Sequence, residues 1–189
     1  MSQTKIKAGG FDVDVITGNT ALAAEPADTD EFLVSDAGTI KRIDYSLINP
    51  GYSFFAAKES SNQEIGNATQ VKVTFESELF DSNSKYDTSN SRYTPAVAGK
   101  YLITCGLSFT GTGDNNYIII FVYKNGSEYT KSINRSPGTP DNGVTLTSLV
   151  ELDDNDYIEI YAKQNTGSAQ QIQSGSSDRT TFFGGVKVD

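Results

Sequence analysis

Hydrophobic and polar residues alternate one for one along several stretches of this chain, most clearly in the segment KYLITCGLSFTG that begins at Lys100. Side chains of a β-strand point to opposite faces with a period of two, so this alternation predicts a strand with one buried face. Five buried side chains at roughly 1.5–3 kcal/mol each would anchor the core of a β-sandwich. The predicted inward residues are Tyr101, Ile103, Cys105, Leu107 and Phe109.

A second apolar stretch, YIIIFVYKNG, is hydrophobic on both sides of the predicted strand. If Ile118, Ile120 and Val122 face the core, a strand that is solvated on its other face would carry polar residues there. Asn125-Gly126 is a strong signal for the hairpin turn that ends the strand. Either another strand or subunit covers the second apolar row, or that row is an aromatic docking surface. The row consists of Tyr117, Ile119, Phe121 and Tyr123.

Further alternating segments predict an all-β domain in which no helix is required. Val71, Val73 and Phe75 are predicted to face inward, and residues 144–152 and 157–162 are predicted to pair as a hairpin. The tip of that hairpin carries Asp153, Asp154 and Asp156, which form either an ordinary acidic turn or a calcium site. Four polar loops, 82–91, 111–116, 136–143 and 164–178, are predicted to be exposed and available for recognition.

The first fifty residues have a different character from the rest. An alternating segment at residues 11–16 and a hairpin at residues 31–45, turning near Gly38, leave too few apolar residues for a separate core. We therefore expect residues 1–50 to form an arm that docks onto another surface, and residues 51–189 to form the main domain. The residues of the arm expected to dock are Phe32, Val34, Ile40, Arg42 and Ile43.

The amino-acid composition argues against several classes of function, including nucleic-acid binding and the commonest kinds of catalysis. A net charge of −9 argues against binding to a nucleic-acid backbone. The absence of histidine removes the commonest general base and most catalytic zinc sites. The single cysteine, on the inward side of its strand, is expected to be a buried and unreactive thiol. No apolar run is long enough for an export signal or a membrane span, so synthesis in the cytoplasm and release by cell lysis are expected.

Eight positions between Phe75 and Cys105 resemble the signature of the globular head of complement component 1q, a jelly roll that is similar to tumour necrosis factor. All eight spacings agree, although Tyr93 and Ile103 stand where phenylalanine is usual, and Cys105 stands where an aromatic residue is usual. The resemblance implies a jelly-roll β-sandwich that assembles as a homotrimer. The small outward residues Gly106 and Ser108 are compatible with a close approach of subunits. The eight positions are Phe75, Asp81, Tyr86, Tyr93, Gly99, Tyr101, Ile103 and Cys105.

The segment TALAAEPADTDEFLVSDAGTIKRIDYSLI resembles a module near the N-terminus of bacteriophage structural proteins. The two resemblances together imply a non-enzymatic virion protein, assembled in the host cytoplasm and released by lysis. Its arm would bind other virion proteins, and its trimeric head would bind a host glycan or protein, with no nucleic acid, membrane insertion or obligatory cofactor. The alternatives are a bacterial or secreted adhesion module and a glycan-cleaving enzyme that uses the carboxylates at residues 153–156.

Overall fold

A computed structural model describes residues 20, 26–27, 29–48, 51–138, 141–175 and 179–188. The chain forms two units, Met1–Pro50 and Gly51–Asp189. Its elements are β1 (Glu31–Asp36), β2 (Thr39–Asp44), α1 (Tyr45–Ile48), β3 (Ser53–Ala57), β4 (Gln63–Ile65), β5 (Val71–Lys72), β6 (Ser77–Asp81), β7 (Tyr86–Asp87), β8 (Arg92–Tyr93), β9 (Gly99–Thr110), β10 (Asp114–Lys124), β11 (Ser127–Pro137), β12 (Asp141–Leu152), β13 (Ile158–Gln164), β14 (Gln170–Ile172) and β15 (Phe182–Lys187).

The larger unit is a sandwich of two antiparallel sheets. The seven-stranded sheet has the order β4-β14-β9-β15-β3-β6, with β12 paired along the full length of β9. The six-stranded sheet has the order β11-β10-β13-β8-β7, with β5 also paired to β13. The predicted all-β jelly-roll sandwich is therefore confirmed, and the helix α1 is a single turn in the smaller unit.

The core lies between the two sheets and is filled by the residues that the alternation placed inward. Tyr101, Ile103, Cys105, Leu107 and Phe109 of β9 are all buried, which confirms the predicted central strand. Ile118, Ile120 and Val122 of β10 face them from the other sheet. Phe54 stacks on Tyr93 with ring centroids 3.9 Å apart and meets Phe183 edge-on at 4.9 Å. This aromatic cluster fills one region of the core.

The predicted pairing of residues 144–152 with residues 157–162 is wrong. β12 pairs with β9 in the seven-stranded sheet, whereas β13 pairs with β10 in the six-stranded sheet. The chain crosses from one sheet to the other between Leu152 and Ile158. The alternation of these segments also predicts that Val150, Leu152, Ile158 and Ile160 face inward, and all four are buried, because either sheet presents the same alternation to the shared core.

The loop at residues 82–91 is only partly solvated, contrary to the prediction. Tyr86 is buried, and its hydroxyl donates a hydrogen bond to the carbonyl oxygen of Phe75 at 2.9 Å. Ser91 is also buried, and its Oγ accepts a hydrogen bond from the backbone N–H of Phe75 at 2.8 Å. Asp81 accepts hydrogen bonds from the backbone N–H groups of Lys85 and Tyr86, so both ends of the loop are fixed to the sandwich.

A carboxylate orders the loop that follows β3. The Oε1 atom of Glu76 accepts hydrogen bonds from the backbone N–H groups of Glu59 and Ser60 and from the Ser60 hydroxyl. Its Oε2 atom lies 3.4 Å from the buried Nζ of Lys58. Partial burial raises the pKa of Glu76. The hydrogen bonds from Ser60 and the charge of Lys58 outweigh this effect, and the pKa falls to about 2.

In the smaller unit, β1 and β2 form a hairpin of six residue pairs. Its two turn residues are Ala37 and Gly38, and both have positive φ, at 47° and 82°. Two positive φ angles are what a tight hairpin turn with the right-handed twist of its strands requires. The predicted role of Gly38 is confirmed, while Ala37 adopts a conformation that its Cβ disfavours. The strand predicted at residues 11–16 lies outside the described residues.

Candidate interaction surfaces

The outward side of the seven-stranded sheet carries two neighbouring groups of apolar side chains, which together we call the apolar face. Leu102 on β9 lies directly opposite Val186 on β15 and Leu149 on β12, so the three side chains form one row across three strands. Leu149 is 58% exposed. The apolar face consists of Phe55, Phe80, Leu102, Leu149, Phe182 and Val186.

Three phenylalanine rings form a stack on the apolar face. The ring of Phe55 lies between those of Phe80 and Phe182, at centroid distances of 6.0 and 5.5 Å and with interplanar angles below 20°. Glycines lie under the stack, where a Cβ added to Gly106 would come within 2.5 Å of the Phe182 ring. A Cβ added to Gly184 would come within 2.9 Å of the Phe55 ring. The two glycines therefore allow the rings to lie flat on the sheet.

The centre of the apolar face is polar but uncharged. The hydroxyls of Thr104 and Thr147 are hydrogen-bonded to each other at 3.3 Å. Ser108 donates a hydrogen bond to Gln173 from its hydroxyl. These hydroxyls have partners within the chain, so a second protein surface could cover them at little cost in lost hydrogen bonds.

The outward side of the six-stranded sheet carries the second apolar row of β10, and we call it the tyrosine face. Phe121 is only 3% exposed, although it points away from the core. Its direct neighbours across the sheet are Lys131 on β11 and Tyr161 on β13. Tyr161 in turn lies 4.2 Å from Tyr123, ring centroid to ring centroid. The tyrosine face consists of Tyr117, Ile119, Phe121, Tyr123 and Tyr161.

A buried carboxylate joins three strands beside the tyrosine face. The Oε1 atom of Glu159 accepts hydrogen bonds from Lys72 Nζ at 2.8 Å and from Arg92 Nη2 at 2.7 Å. Burial raises the pKa of Glu159, but the hydrogen bonds and charges of Lys72 and Arg92 outweigh this, and the net shift is downward. The guanidinium carbon of Arg92 also lies 3.8 Å above the centroid of the Tyr157 ring, a cation–π contact.

The residues predicted to take part in subunit contact or docking lie on two faces of the sandwich. Gly106 and Ser108 belong to the outward side of the seven-stranded sheet, and Tyr117, Ile119, Phe121 and Tyr123 belong to the tyrosine face. Moreover, Ile119 and Phe121 are covered by side chains of the same chain. The sequence reasoning missed Phe55, Phe80, Leu149 and Phe182. The available signal was the pair of adjacent phenylalanines at 54–55 and 182–183, since one member of each pair must point away from the core.

The hairpin of the smaller unit exposes most of the residues predicted to dock. Ile40 is 72% exposed, and Phe32 and Val34 are also exposed, while Ile43 is half-buried. Leu33, on the same face as Ile40, is exposed as well. Arg42 forms an ion pair with Glu31 at 3.0 Å across the hairpin.

The acidic tip is arranged as a turn. Asp156 accepts a hydrogen bond from the backbone N–H of Asp153 at 2.8 Å and pairs with Lys124 Nζ at 2.7 Å. Hydrogen bonds to Lys124, to the backbone of Asp153 and to the Asn125 amide lower the pKa of Asp156 to about 2. Asp154 accepts a hydrogen bond from Asn155. Within the described part of the chain, no group of three or more Asp, Glu, His or Cys side chains is placed to hold a metal ion.

Cys105 is confirmed as a buried free thiol, and desolvation raises its pKa to about 12. Over the described ranges, no helix has both the length and the apolar character that a membrane crossing needs.

Two proteins of Bacillus subtilis (strain 168) are similar to this chain. The phage-like element PBSX protein XkdV is 31% identical over 123 residues, which are 59% of this chain and 18% of XkdV. The protein YqcC is 30% identical over 122 residues, which are 60% of this chain and 32% of YqcC. The chain thus spans about a fifth to a third of the length of these relatives.

Three solved structures share the fold at low sequence identity. Eiger TNF from S. frugiperda superposes with a TM-score of 0.56 at 12% identity, covering 75% of this chain and 94% of that chain. The globular domain of zebrafish complement 1qA gives a TM-score of 0.52 at 14% identity, covering 73% and 98%. Murine APRIL gives a TM-score of 0.55 at 13% identity, covering 73% and 99%. The family model of the C1q domain matches residues 54–186, and the chain therefore belongs to the C1q domain family.

Proposed function

We propose that this chain is a structural protein of a phage or phage-like particle, with a trimeric jelly-roll head that binds the host and an N-terminal arm that anchors it. The observation that carries this proposal is the 31% identity to a protein of the phage-like element PBSX. The same similarity supports a location in the virion.

The apolar face supports the trimer. Monomeric proteins seldom leave a contiguous apolar patch of several large side chains in water. Closed threefold symmetry would cover the patch on each copy by the same patch or its neighbours on the next copy. The flat phenylalanine stack over Gly106 and Gly184 gives a low surface that another sheet can approach closely.

The arrangement of the acidic tip supports a binding role rather than catalysis. Asp156 of that tip is held in a turn by Lys124 and Asn125. A trimer presents three copies of every outward surface, so weak single contacts would combine into firm attachment. The loops at residues 111–116, 136–143 and 164–178 are expected to contribute to recognition.

The arm supports anchoring. An isolated two-stranded hairpin is at best marginally stable in water, and this one exposes Leu33 and Ile40 on the same face. A surface of another virion protein that covers these two side chains would stabilise the hairpin. In that role the residues predicted to dock, Phe32, Val34, Ile40, Arg42 and Ile43, belong to the anchoring element.

The proposal is tested on purified particles from a strain that carries the gene. Mass spectrometry should find the chain in the particles, and gold-labelled antibody should mark it at a fixed position in electron micrographs. Replacement of Leu33 and Ile40 by lysine should leave the chain soluble and trimeric but absent from particles. If the unmodified chain is absent from particles, the virion assignment is wrong and an adhesion module becomes the better interpretation.

A further inference from the structure

Two cations lie at one end of the tyrosine face. Arg135 on β11 lies directly opposite Tyr117 on β10, and Lys163 on β13 lies directly opposite Ile119. Among the described side chains, no carboxylate lies within ion-pair distance of either cation. Arg135 is exposed and Lys163 is half-buried. Since β11 and β13 are two strands apart and the two residues are offset by two positions along β10, the two side chains start roughly 12 Å from each other.

The other cations of this face each lie beside a carboxylate. Lys131 pairs with Glu128 at 2.9 Å, Lys72 and Arg92 share the carboxylate of Glu159, and Asp87 lies directly opposite Arg92 on the neighbouring strand. The positive potential of the face is therefore concentrated at the end where Arg135 and Lys163 lie. A pair of cations that no described carboxylate neutralises, on a chain whose net charge is −9, is complementary to an anionic group.

Apolar and aromatic surface lies between the two cations. Ile133 is 56% exposed and lies opposite Ile119, next to the half-buried ring of Tyr117. The Tyr117 backbone N–H donates a hydrogen bond to Asn165 Oδ1 at 2.7 Å, which fixes this end of β10 against the segment that follows β13. The result is an ordered surface on which a ring can lie flat while both cations reach an acidic substituent.

We propose that this end of the tyrosine face binds an anionic glycan, with Arg135 and Lys163 on its carboxylate groups and Tyr117 and Ile133 under its sugar rings. The inference rests on the proposed function, since it names the ligand class of the outward head. A guanidinium can bind a carboxylate through two parallel hydrogen bonds, which a neutral sugar does not offer. Duplex nucleic acid fits less well, because two cations match the few carboxylates of a short stretch of acidic sugars, whereas binding of a duplex needs many phosphate contacts.

The test uses the purified full chain and surface-immobilised polygalacturonate, with fully methyl-esterified polygalacturonate as the uncharged match. We expect binding to the acid form only, weakened as salt is raised. The double variant Arg135→Gln, Lys163→Gln should bind about tenfold more weakly, since each exposed charge contact contributes modestly. The control variant Lys100→Gln, Arg179→Gln removes the same charge away from this face and should bind as the unmodified chain does.

Three outcomes would overturn the inference: equal binding of the acid and ester forms, an equal loss in the control variant, or preferential binding of a duplex DNA oligomer. Circular dichroism should show that both double variants remain folded, which their exposed or half-buried positions favour. A chain that is trimeric and present in particles but fails to bind polygalacturonate would refute this inference alone. A chain that binds polygalacturonate but is absent from particles would refute the virion proposal alone.

Discussion

Replacement of Leu149 by glutamate perturbs the apolar face without touching the core. The side chain is 58% exposed in the single chain, and full burial of a leucine contributes roughly 1.5–3 kcal/mol, so covering it in a trimer would contribute about 1–2 kcal/mol per protomer. Leu149→Glu removes that term and adds the cost of desolvating a carboxylate. Over three protomers the loss is at least about 3–6 kcal/mol, or roughly 10²–10⁴-fold in the association constant.

The matched control is Ile133→Glu, because Ile133 is 56% exposed and lies on the other sheet. Sedimentation equilibrium over a range of concentrations should show that Leu149→Glu dissociates at concentrations where Ile133→Glu remains assembled. Both variants should unfold at nearly the same denaturant concentration as the unmodified chain when each is compared as a monomer. Equal assembly of the two variants, or dissociation of Ile133→Glu alone, would refute the assignment of the apolar face as the subunit interface.

Three further predictions concern stability. Tyr101→Ala should lower the free energy of unfolding, measured by denaturant titration, by about 3–5 kcal/mol, because the side chain is fully buried. Tyr101→Phe should lower it by only about 1 kcal/mol, because only the hydroxyl hydrogen bond is lost. Similar losses in the two variants would mean that packing is not the cause. The pKa of Glu76, held at about 2 by Ser60, is below its ordinary 4.5, so its contribution is complete above about pH 4.5 and is lost as the pH falls to about 2. Glu76→Gln should flatten the fall in stability measured between those pH values, and an unchanged slope would contradict the assignment. Asn125 has a φ of 53°, and its side-chain amide donates a hydrogen bond to Asp156, so Asn125→Ala should lower the stability measured by thermal unfolding by about 1–2 kcal/mol. Asn125→Gly should recover part of this loss, because glycine adopts positive φ without strain.

Alternation along the sequence was sufficient to predict which residues of β9 are buried. That strand is long and its inward row is apolar throughout, so a shift of register by one residue would expose every core side chain. β10 is apolar on both sides, and its outward Ile119 and Phe121 are buried along with its inward row. The Asn125-Gly126 turn was equally predictable, because both residues have the positive φ that this turn requires.

Which strands pair with each other was less predictable than which side chains point toward the core. Residues 144–152 look the same to the core whether they pair with β13 or with β9, since both sheets present an inward row. The pairing with β9 depends on contacts between residues about forty positions apart, such as Leu146 with Cys105, and local pattern does not encode these.

The candidate surfaces were predicted only in part, for two physical reasons. Adjacent phenylalanines at 54–55 and 182–183 leave the outward member undecided in sequence, and the outward Phe55 and Phe182 make the central stack of the apolar face. Conversely, the outward Phe121 looks exposed in sequence, but Lys131 and Tyr161 on the neighbouring strands cover it. Long side chains on flanking strands can hide an apolar residue without a partner subunit.

The most direct measurement of the central claim is the mass of the unmodified chain in solution at micromolar concentration. If copies of the chain cover the apolar face, sedimentation equilibrium should give about 61 kDa, three times the 20.4 kDa of one chain. A mass of 20.4 kDa at that concentration would contradict the claim, because the apolar face would then be stable in water without a partner.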